Sequence, residues 1–201
     1  MMKIVIGTKN KGKIKEIKSF FTNLPEVDWL TFEDFENFPD IDEGSVGFVE
    51  NAILQAKSIS EFTHTVTLAD DSGLVVDALC GEPGVKSSRY AGENATDEEN
   101  RQKLLGELGN CNSLKDRTAR FVCEMILWHP REGLLKTSSG VCEGCIGFTE
   151  EGSGGFGYDS IFIPSGYDNK TMAELSRYEK NVISHRGKAL KNLKNFLKEK
   201  Q

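Results

Sequence analysis

Two neighbouring carboxylates, Asp70 and Asp71, follow a short apolar run and are the strongest candidates for chemistry in this sequence. Glu43 and Glu50 lie upstream in an acidic stretch. Mg²⁺ prefers hard oxygen ligands and is usually held by one or two carboxylates together with substrate phosphates and water. The pattern therefore indicates a magnesium site that a phosphorylated substrate would complete. Asp-Ser-Gly sequences also form Asx turns without a metal, which is the structural alternative.

The segment from Gly7 to Lys13 has the spacing of a phosphate-binding loop. It satisfies G-x-x-x-x-G-K after a strand-like run and before a helical pattern, but the next residue, Ile14, has no hydroxyl for Mg²⁺. Backbone N–H groups at a helix start and nearby lysines still favour anion binding. We therefore predict a phosphate site here that is not a true P-loop.

Three glycines, Gly152, Gly154 and Gly157, match the dinucleotide fingerprint G-x-G-x-x-G. That motif requires a helix directly after it, whereas this loop leads into a strand-like segment. Glycines that bring the backbone close to a ligand, with Phe156 offering an aromatic face, suit a flat base. A hairpin loop whose phenyl ring packs in the core fits the same residues equally well.

The last helical segment opens with Ser184, His185 and Arg186. Unpaired N–H groups at a helix start and a planar guanidinium are both suited to carbonyl or phosphate oxygens. The start of the last helix is therefore predicted to bind a ligand.

Ser72 raises the alternative of a serine hydrolase, but no G-x-S-x-G elbow surrounds it, so Ser72 is not expected to be a nucleophile.

Strand and helix patterns alternate along the chain and must position these groups. The predicted strands share runs of apolar or β-branched residues, at 3–7, 65–68, 117–127, 134–142 and 161–163. The predicted helices share apolar residues at helical spacing, from residues 12, 48, 97 and 184. Thr96 and Glu99 form a capping box for the third helix. Residues 25–47 and 81–96 are predicted to be loops, and the mixture indicates an α/β fold in a single domain, residues 1–201.

Composition and charge narrow the function classes. The 201 residues are 38% apolar and 28% charged, with 31 acidic and 25 basic side chains and a net charge of −6. A nucleic-acid surface needs a broad basic face, so no nucleic-acid partner is expected. Basic residues cluster at 3–18 and 177–201, which fits a small anionic ligand.

The N-terminus and the cysteines give no sign of export. The first apolar run ends after a few residues, and no window approaches the ~20 apolar residues of a membrane span. Five cysteines are spaced irregularly, and the pair Cys142 and Cys145 lacks the further ligands of a zinc site. We therefore expect a cytoplasmic protein, with no membrane partner, whose cysteines are packing residues.

Six stretches occur in order along the chain: TKNKGK at 8–13, EGSVGFVENA at 43–52, ADDSGL at 69–74, PGVKSSRYAG at 83–92, GGFGYD at 154–159 and SHRGKAL at 184–190. Together they resemble one family, the non-standard purine nucleoside triphosphate pyrophosphatases, also called inosine triphosphate pyrophosphatases. Each stretch alone is weak, whereas six in order over nearly the whole chain are specific.

The resemblance implies an elongated α/β fold with a central mixed sheet, two lobes around an active-site cleft, and a homodimer. It implies Mg²⁺-dependent hydrolysis of ITP, dITP or XTP to the monophosphate and pyrophosphate, which cleanses the nucleotide pool. It gives Asp71 the catalytic role of proton acceptor, gives Glu43 and Asp71 the metal, and gives Arg186 the base. The substrate-binding residues that it implies are Thr8, Lys9, Asn10, Lys11, Gly12, Lys13, Ser72, Phe156, Gly157, Tyr158, Asp159, Lys180, His185 and Arg186.

This chain departs from the family pattern at Gln55, where Lys is usual, and at Ser160, where Pro is usual. The missing cation makes a catalytically weakened nucleotide-binding regulator one alternative to the enzyme. A P-loop-like kinase is the other, and it would transfer the γ-phosphate without releasing pyrophosphate. The carboxylates Asp70, Asp71 and Glu43 favour the hydrolase, because a pure binding protein needs no group that activates water.

Overall fold

The computed structural model describes residues 2–22, 27–41, 44, 46–167 and 169–199. The helices and strands follow in chain order: β1 (Met2–Ile6), α1 (Lys11–Phe20), β2 (Val27–Leu30), α2 (Phe48–Thr63), β3 (Val66–Val76), α3 (Asp97–Glu107), β4 (Thr118–His129), β5 (Gly133–Ile146), β6 (Phe162–Pro164), α4 (Arg177–Ile183) and α5 (His185–Glu199). The predicted α/β class is confirmed.

The strands form one mixed six-stranded sheet in the order β2-β1-β3-β4-β5-β6. β1 pairs in parallel with both β2 and β3, with Ile4 opposite Trp29 and Val66, and β5 pairs antiparallel with β6. Parallel neighbours need a crossover, and α1 supplies the one from β1 to β2. The central mixed sheet that the family resemblance implies is therefore present.

The chain divides into two compact units. The first unit comprises Met1–Asp71, Cys123–Gly140 and Arg186–Gln201, and the second comprises Ser72–Val122 and Val141–His185. β3, β4 and β5 each contribute residues to both units. The division agrees with the two lobes implied by the resemblance, while the cleft and the single domain stay predictions.

Each unit has its own apolar core, and the core fixes the elements that carry the candidate residues. In the first unit, Leu190, Leu193 and Leu197 of α5 are buried, as their helical spacing predicts. They share a core with Ile17 of α1 and Leu68 of β3. The second unit buries Leu104 of α3, Leu108 directly after that helix, Phe121 of β4 and Phe162 of β6. Packing thus holds α1 and α5 against the sheet of the first unit.

Three local expectations need correction. The strand predicted at 65–68 does not end before the polar run at 69–74, because β3 continues through that run to Val76. Residues 25–47, predicted as a loop, include β2. The separate helix α4 was not predicted, although Ser176 and Glu179 form the capping box that starts it. It ends at Ile183, and the extended backbone of Ser184 separates it from α5.

All five cysteines are free thiols, and Cys123 and Cys142 are buried. Cys142 and Cys145 lie three residues apart on β5, so their side chains leave opposite faces of the strand and do not converge on one metal ion. Within the ranges described, no helix has the length and apolar character needed to cross a bilayer.

Candidate active site

The two neighbouring aspartates lie inside β3, and both are buried. Successive side chains of a strand point to opposite faces, so Asp70 and Asp71 meet different partners. Asp70 faces the cations Lys13 and Arg186, whereas Asp71 meets Asn51. A strand tolerates two buried carboxylates here because each has polar partners.

Asp70 is the centre of a buried ion cluster in the first unit. Its Oδ2 lies 3.3 Å from Lys13 Nζ and 3.1 Å from Arg186 Nη2, and Lys13 Nζ also donates to the Asp70 carbonyl oxygen at 3.0 Å. Burial opposes ionisation, but the charges of Lys13 and Arg186 outweigh it and hold the pKa of Asp70 well below its usual range. Oδ1 is buried without a hydrogen-bond partner among the residues described.

Arg186, the second residue of α5, is only 2% exposed. Its Nη1 donates to Glu16 Oε2 at 2.6 Å, while Nε and Nη2 donate to Asp70 Oδ2. Burial lowers the pKa of the guanidinium, but the carboxylates of Asp70 and Glu16 outweigh it, so the net shift is upward. Lys13, Glu16, Asp70 and Arg186 thus form a charge-balanced cluster, in which Glu16 was not predicted. The base-reading role of Arg186 stays a prediction.

Asp71 is held by a second residue that was not predicted to lie in the site. Asn51, on the buried face of α2, donates from Nδ2 to Asp71 Oδ2 at 2.9 Å and to the Gly44 carbonyl oxygen at 3.1 Å. A readable signal existed, because Asn51 and Gln55 are polar residues at helical spacing on an otherwise apolar face. Glu43, the other predicted metal ligand, lies outside the described residues.

The predicted phosphate segment has a different local structure from the one expected. Asn10 caps α1, and its Oδ1 accepts from the N–H groups of Gly12 and Lys13 at 2.9 and 3.2 Å. These two N–H groups therefore serve the helix cap. Lys9 pairs with the exposed Asp40 at 2.6 Å. Thr8 is buried, and Lys11 lines a surface pocket; ligand binding by this segment stays a prediction.

In the second unit, the glycine-rich loop surrounds Phe156. Asp159 Oδ2 accepts from Phe156 N–H at 2.9 Å and from Lys180 Nζ at 2.7 Å. Lys180 Nζ lies 5.1 Å from the centre of the Phe156 ring, within cation–π range. Gly155 has φ +79°, and a side chain there would overlap the Asp159 carboxylate. The phenyl ring is half-buried rather than packed in the core.

Three further predicted residues have structural contacts in the second unit. The ring of His185 is buried and stacks on Phe121, with centres 4.7 Å apart and planes 12° apart. Tyr158 is buried, which raises the pKa of its phenol, and its Oη donates to the Ser87 carbonyl oxygen at 2.8 Å. Ser72 is half-buried in β3. Ligand binding by these residues stays a prediction.

The carboxylates of the described residues bear on the predicted magnesium site, and a bound metal ion stays a prediction. No group of three His, Cys, Asp or Glu side chains converges among the residues that the structure describes. Mg²⁺ needs only one or two protein carboxylates when phosphates and water complete its shell. The buried Asp71 carboxylate is a metal ligand of that kind.

Comparisons with known proteins identify the family of the chain. The sequence model of the Ham1 family matches residues 4–196. A dITP/XTP pyrophosphatase of Oceanobacillus iheyensis is 46% identical over 98% of both chains, and one of Geobacter sulfurreducens is 47% identical over 98% of this chain and 97% of its own. The structure of a HAM1 protein from Coxiella burnetii has a TM-score of 0.87 and 42% identity, covering 99% of this chain and all of its own. The chain therefore belongs to the Ham1 family.

Proposed function

We propose that this chain is an Mg²⁺-dependent pyrophosphatase of ITP, dITP and XTP that removes these nucleotides from the nucleotide pool. The observation that carries the proposal is the arrangement on β3, with a buried Asp71 held by Asn51 and a neighbouring Asp70 that fixes Lys13. The relatives named dITP/XTP pyrophosphatase support the substrate class.

Asp71 and Glu43 would hold the metal ion. When bound, Mg²⁺ neutralises charge on the triphosphate and polarises its phosphate oxygens. The Asn51 amide bonds both to Asp71 and to the carbonyl oxygen of Gly44, the residue after Glu43. We infer that Asn51 is a positioning residue for Asp71.

Asp71 is proposed to accept the proton of the attacking water. The water oxygen forms a bond to the α-phosphorus while the bond from that phosphorus to the oxygen bridging to the β-phosphorus breaks. Pyrophosphate leaves with the electron pair, and the proton lost by the water goes to the carboxylate. A positioned carboxylate contributes to such a step by general base catalysis. The hydrogen bond from Asn51 supports this role because it restricts the rotation of Asp71.

Lys13 is proposed to bind the phosphates as a pre-oriented cation. Its ammonium group is held by the carboxylate and the carbonyl oxygen of Asp70, so little reorganisation is needed when negative charge develops on the substrate. Thr8, Lys9, Asn10, Lys11 and Gly12 complete the proposed phosphate-binding segment. An ordered cation is worth more to the transition state than a mobile surface lysine.

The purine base is proposed to contact residues in and around the glycine-rich loop. Phe156 offers a half-buried aromatic face, and Asp159 and Lys180 flank it; Ser72, Gly157, Tyr158 and His185 are the other proposed contacts. Hypoxanthine and xanthine carry a carbonyl at C6 where adenine carries an amino group. The N–H groups of Arg186 would donate to that carbonyl oxygen, whereas the amino group of adenine would face them as donor against donor. We also propose a cytoplasmic homodimer, as the family resemblance implies.

One assay separates this function from its alternatives. The protein is incubated with Mg²⁺ and ITP, XTP, GTP or ATP, and pyrophosphate, orthophosphate and nucleotide products are quantified. The proposed enzyme releases pyrophosphate and monophosphate from ITP and XTP at a higher kcat/KM than from ATP or GTP. A regulator would bind ITP without turnover, and a kinase would release no pyrophosphate. Either of those results would reject the proposal.

A further inference from the structure

Two side chains of helix α3 bind the glycine-rich loop at Gly157. The N–H group of Gly157 donates to Asp97 Oδ2 at 2.7 Å, and its carbonyl oxygen accepts from Arg101 Nη1 at 2.8 Å. Asp97 and Arg101 are four residues apart in α3, so their side chains lie on the same face of the helix. Both backbone polar groups of Gly157 are therefore bound by α3.

Arg101 has a second attachment, to Glu150. Arg101 Nε donates to Glu150 Oε2 at 2.8 Å, and the same carboxylate accepts from Ser160 Oγ at 3.1 Å. The guanidinium thus joins Gly157 to Glu150, whose carboxylate also binds Ser160. The Arg101 side chain is only 16% exposed, so solvent screens these charge-assisted bonds less than those of a surface pair.

The backbone is hydrogen-bonded both at Phe156 and at the residue after it. On one side its own N–H is bound by Asp159, and on the other side Gly157 is bound by α3. Gly157 has φ +61°, the left-handed conformation that glycine adopts without strain. A cavity of about 270 Å³ is lined by the loop together with Asp97 and Arg101. The side chains of α3 therefore help to determine where the Phe156 ring stands at this cavity.

We propose that Asp97 and Arg101 are positioning residues that hold the loop so that Phe156 presents its ring to the purine base. This inference rests on the proposed function, in which Phe156 contacts the base. Neither residue needs to touch the phosphates or the attacking water. An interaction that holds the base equally in the ground state and the transition state lowers KM and leaves kcat unchanged.

The first test compares Arg101→Ala with two other variants in steady-state hydrolysis of ITP. Arg101→Ala is expected to raise KM about tenfold with kcat within about twofold, as expected for loss of charge-assisted hydrogen bonds. Arg101→Lys should fall between Arg101→Ala and wild type, because one ammonium replaces a planar fork. Arg120→Ala is the matched control, since Arg120 pairs with Asp77 at 2.9 Å in the same unit and its loss should leave KM unchanged. An unchanged KM for Arg101→Ala, or a loss confined to kcat, would overturn the inference.

The second test measures binding by calorimetry and does not depend on turnover. Arg101→Ala should weaken inosine monophosphate binding about tenfold and leave pyrophosphate binding unchanged, because pyrophosphate has no base. Equal weakening of both ligands would reject a base-positioning role. If Arg101→Ala does not fold by circular dichroism, Asp97→Ala is measured against Asp97→Asn, which keeps an acceptor oxygen; equal inosine monophosphate affinity in the two would also overturn the inference. Absence of pyrophosphate release by the wild type would reject the proposed function. The calorimetric comparison would still test whether Arg101 positions the loop for binding of the base.

Discussion

Removing the charge of Asp70 should destabilise the first unit by a large amount. In Asp70→Asn, Lys13 and Arg186 lose the carboxylate that pairs with both, and only Glu16 remains to balance Arg186. Arg186 is 2% exposed, so water cannot replace the lost partner. Breaking a buried ion pair from one side costs about 3–5 kcal/mol. At about 2–4 °C per kcal/mol for a chain of this size, Tm should fall by about 6–20 °C.

The same variant should change the pH dependence of stability. The pKa of Asp70 is lowered in the folded protein, because Lys13 and Arg186 outweigh the opposing effect of burial. Its contribution to stability is therefore fully present above the pKa of the unfolded chain, near 3.8, and is lost as the pH falls below it towards the folded pKa. Wild type should lose stability through this range, and Asp70→Asn should lose less.

Urea unfolding followed by tryptophan fluorescence measures both effects. Trp29 and Trp128 both belong to the first unit, and Trp29 stacks on Phe21 with ring centres 4.7 Å apart. The matched control is Asp40→Asn, which breaks the exposed pair with Lys9 and should cost less than about 1 kcal/mol. A loss below about 1 kcal/mol for Asp70→Asn, or an unchanged pH slope, would refute the buried-cluster reasoning.

Three further variants test the site. Asn51→Ala should lower kcat for ITP about tenfold with a smaller change in KM, because Asp71 loses the amide that orients it; an unchanged kcat would show that Asn51 only packs. Gln55→Lys should raise kcat about tenfold by adding a cation one helical turn from Asn51, and an equal or lower kcat would show that the charge is not needed there. Arg186→Ala, assayed on protein shown to be folded, should reduce kcat/KM for ITP far more than for ATP. Equal losses on both nucleotides would mean that Arg186 stabilises the buried cluster with Glu16 and Asp70 and does not read the base.

The sequence predicted those parts of the fold that depend on local patterns. The capping box of Thr96 and Glu99 starts α3 where expected, and the leucine spacing of α5 gives a buried stripe. β3 was misjudged because Asp70 and Asp71 are poor strand formers in isolation. Their placement inside a strand depends on Lys13, Arg186 and Asn51, which lie far away in the sequence.

The sequence predicted which residues belong to the candidate site more successfully than it predicted which of them contact each other. Asp70 and Lys13 were singled out separately, and their contact across 57 residues has no periodic signature in the sequence. The bonds from Asp97 and Arg101 to Gly157 are equally non-local. By contrast, Asn10 directly before a helix could have been identified as a cap, which would have shown that two N–H groups of the phosphate segment are occupied.

The most direct test of the central claim is pyrophosphate release from ITP by wild type and Asp71→Asn in saturating Mg²⁺. An amide cannot accept the proton, so turnover should fall by about 10²–10⁴-fold while the protein stays folded. Asp77→Asn is the control, because Asp77 is an exposed carboxylate that pairs with Thr118 and Arg120. Wild type and the control should release one pyrophosphate for each monophosphate. Turnover of Asp71→Asn within about tenfold of wild type would contradict the role of Asp71, and orthophosphate as the wild-type product would contradict cleavage next to the α-phosphate.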